Sequence, residues 1–127
     1  MPIVDITRII AWQKGHEFVK LTYDKCRNLP EYERYGFYSQ FTRAAISITA
    51  NIAKGVQKTS KADKLRFLNI SQGSLSECYN YILLGRDLQY FTNEDVKVLL
   101  DSLKLTSYFL DKYIEGISQN NGIKDNL

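Results

Sequence analysis

The sequence predicts an all-α protein, an up-down-up-down bundle of four helices. Four long segments carry apolar residues at helical spacing, and each ends at a Pro or Gly or begins at a Ser or Thr cap. Short connections place consecutive helices side by side and antiparallel. Only 2 Pro and 7 Gly occur among the 127 residues, so no turn-rich stretch favours an all-β fold. A chain of this length is most simply one domain with its own core.

The first helix is predicted from Ile9 to Asn28. The Leu29-Pro30 pair ends it, because a residue before Pro is displaced from the α region. Aromatic and apolar residues recur in this helix at spacings of four and three, and such a stripe is expected to face the core. The stripe consists of Trp12, His16, Val19, Tyr23 and Cys26.

The second helix is predicted from Phe37 to Lys54, with Gly55 as a left-handed C-terminal cap. Its core face is expected to consist of Phe41, Ala44, Ala45, Ile48 and Ile52. Polar residues flank this face, and polar groups buried at a helix contact require hydrogen-bond partners. We expect them to fix how helix 2 meets its neighbours, within the subunit or across an oligomer, with Arg43 and Glu77 as a pair. The predicted structural polar network is Gln40, Arg43, Ser47, Asn51 and Glu77.

The third helix is predicted to begin after an N-cap at Ser60, with Asp63 three positions on, and to end near Leu88. Its interior contains Gly73 and Gly85, each costing about 1 kcal/mol relative to Ala. Close packing is therefore expected at both glycines. The predicted inward residues are Leu65, Leu68, Leu75, Tyr79, Ile82 and Leu83.

Thr92 is predicted to cap the fourth helix, with Asp95 at the third position. The bundle domain is predicted to span residues 1–117, followed by a polar tail, residues 118–127, expected to be disordered. The apolar positions of helix 4 are Val96, Leu99, Leu100, Leu103, Leu110, Tyr113 and Ile117.

Positive charge is concentrated where helices 2 and 3 meet. Residues 54–66 contain five basic residues against Asp63 alone, whereas residues 87–127 contain seven acids and four lysines. We call the five basic residues the basic hairpin: Lys54, Lys58, Lys61, Lys64 and Arg66. Fixed positive charge of this kind attracts phosphate backbones, although lysines at a turn also serve solubility alone.

A second group of residues precedes helix 2 and also allows two interpretations. Aromatic rings beside arginines can stack on unpaired bases, but tyrosines in such places are commonly half-buried packing residues. The group comprises Tyr32, Arg34, Tyr35 and Tyr38.

No convincing catalytic constellation is present. The single histidine, His16, belongs to the predicted core stripe, and Cys26 and Cys78 are too far apart for metal-ligand spacing. GSLSE at 73–77 lacks the second glycine of a nucleophile elbow and follows no strand. We therefore expect a protein that is not an enzyme and that uses no cofactor and no metal.

The chain has no feature of an exported or membrane protein. Its first ten residues, MPIVDITRII, lack the basic start and small-residue cleavage site of a signal peptide. No apolar run approaches the roughly 20 residues needed to span a bilayer. We expect a cytoplasmic protein with two free, buried thiols and no membrane partner.

An ordered set of residues between Trp12 and Tyr90 follows the pattern of a known family. The set is Trp12, Gln13 and Lys14; Leu29 and Pro30; Glu33, Arg34, Tyr35 and Gly36; Gln40, Arg43, Ala44, Ala45, Ser47, Ile48, Asn51, Ile52, Ala53 and Gly55; and Phe67, Leu68, Gly73, Ser74, Leu75 and Glu77. It resembles the 23S rRNA intervening-sequence proteins, which are four-helix bundle proteins.

This chain departs from the family's usual pattern in helix 2. Thr42 stands where the family usually has the first of two arginines, and Thr49-Ala50 stands where it usually has Pro-Ser. Lys54 replaces a glutamate before Gly55. These departures weaken RNA contact through an arginine pair and favour contact through the basic hairpin.

The resemblance implies a ring-like homo-oligomer, expected to be a pentamer, and a relation to the accessory proteins of diversity-generating retroelements. In that group a basic pentamer binds nucleic acid and a reverse transcriptase.

Two hypotheses about the function follow. The protein is a non-enzymatic binder of RNA or another nucleic acid through the basic hairpin, or it is a scaffold whose partners are its own copies and another protein. In the scaffold, the acidic helix 4 could meet the basic hairpin of a neighbouring subunit.

Overall fold

A computed structural model describes the backbone of residues 3–125 and the side chains of residues 3–119. The described chain contains four α-helices: α1 Ile10–Lys25, α2 Phe37–Gln57, α3 Lys61–Asp87 and α4 Asn93–Asp125. Short 3-10 turns, Ile6–Arg8 and Glu31–Glu33, precede α1 and α2. Each helix packs on the next, and α1 also packs on α4, which closes the bundle. The predicted all-α four-helix fold is confirmed.

The bundle has two distinct ends. The hairpin end contains the α2–α3 connection, residues 58–60, and the start of α1. The loop end contains the connections 26–36 and 88–92. An aromatic cluster fills the core at the loop end, where the Phe37 ring lies 5.8 Å from Phe41, 5.9 Å from Phe91 and 5.4 Å from Tyr90 between centroids. This cluster ties α2 to the turn between α3 and α4.

The core face of α2 is the one that the sequence predicts. Its five members are all buried, and all but Ala44 have no exposed surface at all. The face consists of Phe41, Ala44, Ala45, Ile48 and Ile52. Helix α2 continues to Gln57, nearly one turn beyond the predicted end.

The predicted core stripe of α1 is wrong by one position. His16 and Tyr23 are exposed, and Trp12 and Val19 are only half-buried, so Cys26 alone is buried as predicted. The residues that face the core are Ala11, Gly15, Phe18, Thr22 and Cys26. An apolar pattern does not register Gly15 and Thr22, so the sequence predicts a face that is displaced by one position.

Local chemistry explains why the shifted face is buried. A Cβ on Gly15 would lie 2.9 Å from Thr49 Cγ2, so glycine allows α1 to approach α2 closely. The Thr22 hydroxyl donates to the Phe18 carbonyl at 3.0 Å, which satisfies it inside the core. Outside this face, the His16 ring stacks on Trp12 with centroids 4.6 Å apart.

Helix α3 buries small polar residues that the sequence analysis did not place in the core. Ser71, Ser74 and Cys78 are buried together with Leu68, Leu75 and Ile82. Leu65 and Leu83 are half-buried, whereas Tyr79, predicted to face inward, is 49% exposed. Tyr79 lies at the margin of the contact between α3 and α4, where it lines a shallow pocket with Leu100 and Leu103.

Two of the three glycines for which the sequence predicts a role, Gly55 and Gly73, differ from the prediction. Gly55 is not a left-handed cap, since it lies within α2, has no positive φ and is buried against Leu68. Gly73 is exposed, and a Cβ added to it would have no atom within 4 Å, so the predicted close packing is wrong there. Gly85 is packed as predicted, because an added Cβ would overlap the Phe91 ring.

Both predicted caps are present. Ser60 Oγ accepts from the Asp63 amide at 3.1 Å. Thr92 Oγ1 accepts from the Asp95 amide at 3.0 Å while the Asp95 carboxylate accepts from the Thr92 amide at 3.1 Å, a reciprocal capping box. Gln89, with φ of 63°, follows the end of α3 in the left-handed region.

Helix α4 extends to Asp125, and its core positions agree with the prediction. Val96, Leu99, Leu103 and Leu110 are buried, and Leu100, Tyr113 and Ile117 are half-buried. The backbone of α4 continues past residue 117, the predicted end of the bundle domain, and through the predicted tail, residues 118–127, as far as Asp125, so the expected disorder does not agree with the structure there.

The two α3 glycines provide a matched test of this packing. We expect Gly85→Ala to lower the free energy of unfolding by on the order of 1–3 kcal/mol, because the Phe91 ring must move. Gly73→Ala, on an open helix surface, should raise it by about 1 kcal/mol. Urea unfolding of both variants measures the difference, and equal effects at the two sites would contradict the packing described for Gly85.

The α4 cap predicts a pH-dependent contribution to stability. Burial opposes ionisation of Asp95, but hydrogen bonds from Thr92 and Lys25 outweigh it and lower its pKa; Lys25 Nζ lies 3.1 Å away. The ionised group therefore stabilises the fold fully above its unfolded pKa of about 3.9, and this contribution disappears as the pH falls through the lowered folded pKa.

Asp95→Asn should accordingly cost about 1 kcal/mol at pH 7, because the ion pair and the helix-dipole interaction are removed. The difference from the wild type should shrink as the medium is acidified below about pH 4. Asp101→Asn, which removes an exposed pair with Lys97, is the control and should have a smaller effect. If Asp95→Asn lowered the free energy of unfolding by the same amount at every pH, the lowered pKa of Asp95 would be contradicted.

Candidate nucleic-acid interface

The basic hairpin is built by the last turn of α2 and the first two turns of α3. Only residues 58–60 separate the two helices, and the Lys58 amide closes the turn by donating to the Gly55 carbonyl at 3.1 Å. Because the connection is so short, side chains from both helices converge on one end of the bundle. The structure thus brings together the five basic residues that the sequence singled out.

Phe67 organises two of these cations. Arg66 Cζ lies 4.5 Å from the centroid of the half-buried Phe67 ring, and Lys58 Nζ lies 5.1 Å from it. Each distance is within the range of a cation–π contact. The ring therefore holds one cation from the connection and one from α3 in place without neutralising either.

The remaining cations of the hairpin differ in availability. Lys64 Nζ donates to the Val56 carbonyl at 3.2 Å and so satisfies the C-terminal end of α2. Among the described residues, Lys54, Lys58 and Lys61 have no carboxylate within ion-pair distance. Arg66 has only Asp63, at 3.9 Å and exposed. Three lysines are therefore available to a phosphate, and Lys64 has a structural contact.

The N-terminal segment also reaches this end of the bundle. The Val4 amide donates to Gln57 Oε1 at 3.0 Å, next to the start of the connection. Sequence reasoning missed this contact and the role of Phe67. A signal for Phe67 exists in the sequence, since it is the aromatic residue directly after the last cation of the basic segment.

The predicted structural polar network forms only in part. Ser74 Oγ and Ser47 Oγ are hydrogen-bonded at 2.8 Å, and Asn51 Nδ2 donates to the Ser47 carbonyl at 2.8 Å and to its Oγ at 3.0 Å. Ser71 Oγ adds a bond to the Ile48 carbonyl at 2.8 Å. The bonds of Ser71 and Ser74 join α3 to α2, whereas those of Asn51 lie within α2.

The other members of that network lie outside it. Gln40, Arg43 and Glu77 are exposed, and no ion pair joins Arg43 to Glu77 in the part of the chain that the structure describes. Glu77 lies near Tyr81, and burial followed by this acidic neighbour raises the pKa of Tyr81. Helical spacing places Gln40 and Arg43 on the side of α2 that carries Ser47, but both lie at its exposed edge.

Neither cysteine has the chemistry of a nucleophile. Both are free and buried, as predicted. Burial raises the pKa of Cys26 to about 12, and burial together with the nearby Glu77 raises the pKa of Cys78 further. Both are therefore neutral thiols at physiological pH. In addition, none of the described helices has the length and apolar character required to cross a membrane.

The fold and the basic hairpin define a small antiparallel four-helix bundle protein with a basic end. The chain belongs to the family of 23S rRNA-intervening sequence proteins, whose family model matches residues 7–112. A solved structure from Bacteroides thetaiotaomicron, described as a protein of unknown function from the S23 ribosomal protein family, has the same fold. It is 23% identical, with a TM-score of 0.75 over 84% of this chain and 96% of that one. No curated protein matches the chain.

Proposed function

We propose that this protein is a non-enzymatic nucleic-acid-binding protein whose ligand is RNA and whose contact surface is the basic hairpin. The observation that carries the proposal is the pair of cations held against Phe67 beside two further lysines without carboxylate partners among the described residues. The family's description associates its members with an intervening sequence of 23S rRNA, and RNA is the nucleic acid that we propose for this chain.

The chemistry of the hairpin suits phosphate contacts more than base recognition. Lysines contact phosphates as point charges, and the fixed Arg66 guanidinium can donate two hydrogen bonds to one phosphate. Phosphate contacts position a nucleic acid without reading its sequence. Binding should therefore show weak sequence preference and strong dependence on salt.

A triple neutralisation tests the proposal. Lys54, Lys58 and Lys61 are changed to Gln, and Lys64 is kept because it contacts the backbone of α2. Affinity for a structured RNA should fall, and the slope of log K against log salt should decrease by about 0.7–0.9 for each phosphate that the variant no longer neutralises. Fluorescence anisotropy across a salt series measures both quantities.

The matched control is a triple variant that removes three positive charges from other surfaces. It changes Lys20 on α1 and Lys97 and Lys104 on α4, all of which are exposed. Their change to Gln should leave the salt slope close to that of the wild type. Equal reductions of affinity in the two triple variants would mean that net charge alone governs binding, and an affinity that ignores salt would refute the proposal.

A second candidate function is a scaffold formed by copies of this chain, and a specific surface favours it. Residues 37–53 and 67–85 contain a single charged residue each, Arg43 and Glu77. We call the exposed side chains of these two ranges the weakly charged surface of α2 and α3. On it, Ile46 and Ile70 are each 43% exposed and Leu84 is 42% exposed. Apolar residues with so little charge around them are typical of protein contact surfaces. We propose a ring-like homo-oligomer, a pentamer by resemblance, which would repeat the basic hairpin around one rim and could dock a protein such as a reverse transcriptase.

This surface supports self-association better than the acidic residues of α4 do. Three acids of α4 already have partners within the chain: Asp95 with Lys25, Asp101 with Lys97, and Glu115 with Lys112. Attraction between α4 and a neighbour's basic hairpin would have to compete with these contacts. The weakly charged surface of α2 and α3 has no such competition.

Light scattering tests the scaffold. The wild type should be oligomeric at micromolar concentration, and Ile70→Lys should shift it towards the monomer because a charge would be buried in the contact. Leu105→Lys is the control, since Leu105 is equally exposed, at 43%, but lies on α4. A monomeric wild type would refute the scaffold, and dissociation by Leu105→Lys alone would place the contact elsewhere.

A further inference from the structure

A cleft of about 500 Å³ opens at the loop end, at the opposite end of the bundle from the basic hairpin. The end of α1, the α1–α2 connection and the first turn of α2 form its walls. We propose that this cleft binds a nucleotide: a planar base joined to a phosphate. The proposal goes beyond the proposed function, because it concerns a separate surface with a different chemistry. Its lining includes Tyr23, Tyr38, Leu29, Pro30, Arg27 and Arg34.

The aromatic side of the cleft can receive a base. The rings of Tyr23 and Tyr38 lie 6.2 Å apart at 84°, an edge-to-face arrangement that holds both in position. Tyr23 remains 40% exposed, so part of its surface is open to a ligand. Leu29 and Pro30 add an apolar wall beside the rings. Flat apolar and aromatic walls of this kind favour a planar ligand.

The cationic side can receive a phosphate. Arg27 and Arg34 both line the cleft, and their guanidinium groups match the geometry of phosphate oxygens. Among the described residues Arg34 contacts no carboxylate, and its Cζ lies 5.5 Å from the centroid of the Tyr35 ring. Arg27 shares the exposed Asp24 at 3.4 Å, a solvated contact that a phosphate can replace at little cost.

The neighbouring acids do not cancel these arginines. Glu33 is turned to the other side of the connection, where it accepts from the Tyr90 hydroxyl at 2.6 Å and from the Phe37 amide at 3.2 Å. Among the residues that line the cleft, Glu31 is the one acid. Its carboxylate can accept from the N–H groups of a base, so it would favour a base over a bare inorganic anion.

Cys26 in the lining of the cleft indicates binding without covalent chemistry. Because burial raises its pKa to about 12, the thiol is neutral at physiological pH. It therefore neither repels a phosphate nor attacks a ligand. The chemistry of the cleft is that of a reversible site for a base and its phosphate.

The same chemistry can come from a free nucleotide or from an unpaired nucleotide of an RNA. Helix α1 has 16 residues and spans about 24 Å between the two ends at 1.5 Å per residue. A mononucleotide in the cleft therefore does not touch the basic hairpin in the same subunit. The two sites can be tested separately.

The experiment is a titration of the full chain followed by amide NMR shifts, with GMP, AMP, guanosine, inorganic phosphate and a single-stranded RNA hexamer as probes. GMP or AMP should shift amides of residues 23–38 in a saturable manner, and guanosine and phosphate should bind more weakly. Tyr23→Leu and Arg34→Gln should each weaken nucleotide binding by about tenfold, the factor expected when one stacking or phosphate interaction is removed.

Two further variants control for folding and for charge. Tyr23→Phe keeps the ring and should bind as the wild type does. Arg86→Gln removes an exposed arginine from the same end of the bundle and should also have no effect. The variant with Lys54, Lys58 and Lys61 changed to Gln should retain nucleotide binding. The nucleotide site and the RNA contact at the basic hairpin can therefore fail independently of each other.

The probes distinguish the sources of the ligand. If the hexamer binds more tightly than the mononucleotides and Arg34→Gln weakens both, the ligand is an unpaired nucleotide of RNA. If only mononucleotides bind, it is a free nucleotide, and either result supports the site. Shifts elsewhere in the chain, no saturable shifts at millimolar nucleotide, or equal effects of phosphate and nucleotides would overturn the proposal.

Discussion

The close contact between α2 and α3 positions both the core and the candidate interface. At Gly55 an added Cβ would lie 3.2 Å from Leu68 Cγ and from the Lys64 carbonyl oxygen. Towards the middle of the two helices, the Ser71 hydroxyl donates to the Ile48 carbonyl and the Ser74 hydroxyl donates to the Ser47 hydroxyl. At these points of close approach the two helices are joined by hydrogen bonds between small residues, and at Gly55 the missing side chain leaves room for Leu68.

This contact determines where the positive charge lies. Because α2 and α3 are joined by three residues and packed closely below the turn, the cations of both helices project from a single rigid end. Phe67 then holds Lys58 and Arg66 on its ring. The same turn uses Lys64 to satisfy a carbonyl of α2. The basic segment therefore contributes both to the fold and to the proposed binding. Lys64 stabilises the end of α2, whereas Lys58 and Arg66 are held on Phe67 for the proposed contact.

The opposite end of the bundle is organised by aromatic rings instead of charge. Phe37 contacts Phe41, Tyr90 and Phe91, while Glu33 links the two connections through the Tyr90 hydroxyl. This packing leaves Arg27 and Arg34 at the wall of a cleft. The two ends thus present different chemistry, lysines around one aromatic ring at the hairpin end and tyrosines with arginines at the loop end.

The sequence by itself determined the four helices, the caps at Ser60 and Thr92, the core face of α2 and the position of the basic hairpin. These follow from local signals: periodicity, hydroxyl caps and charge counts. Only the tertiary structure decided the buried face of α1, the roles of Gly55 and Gly73, and the separation of Arg43 from Glu77. A glycine or serine has no apolar pattern of its own, and whether it caps, packs or lies open depends on which backbone approaches it.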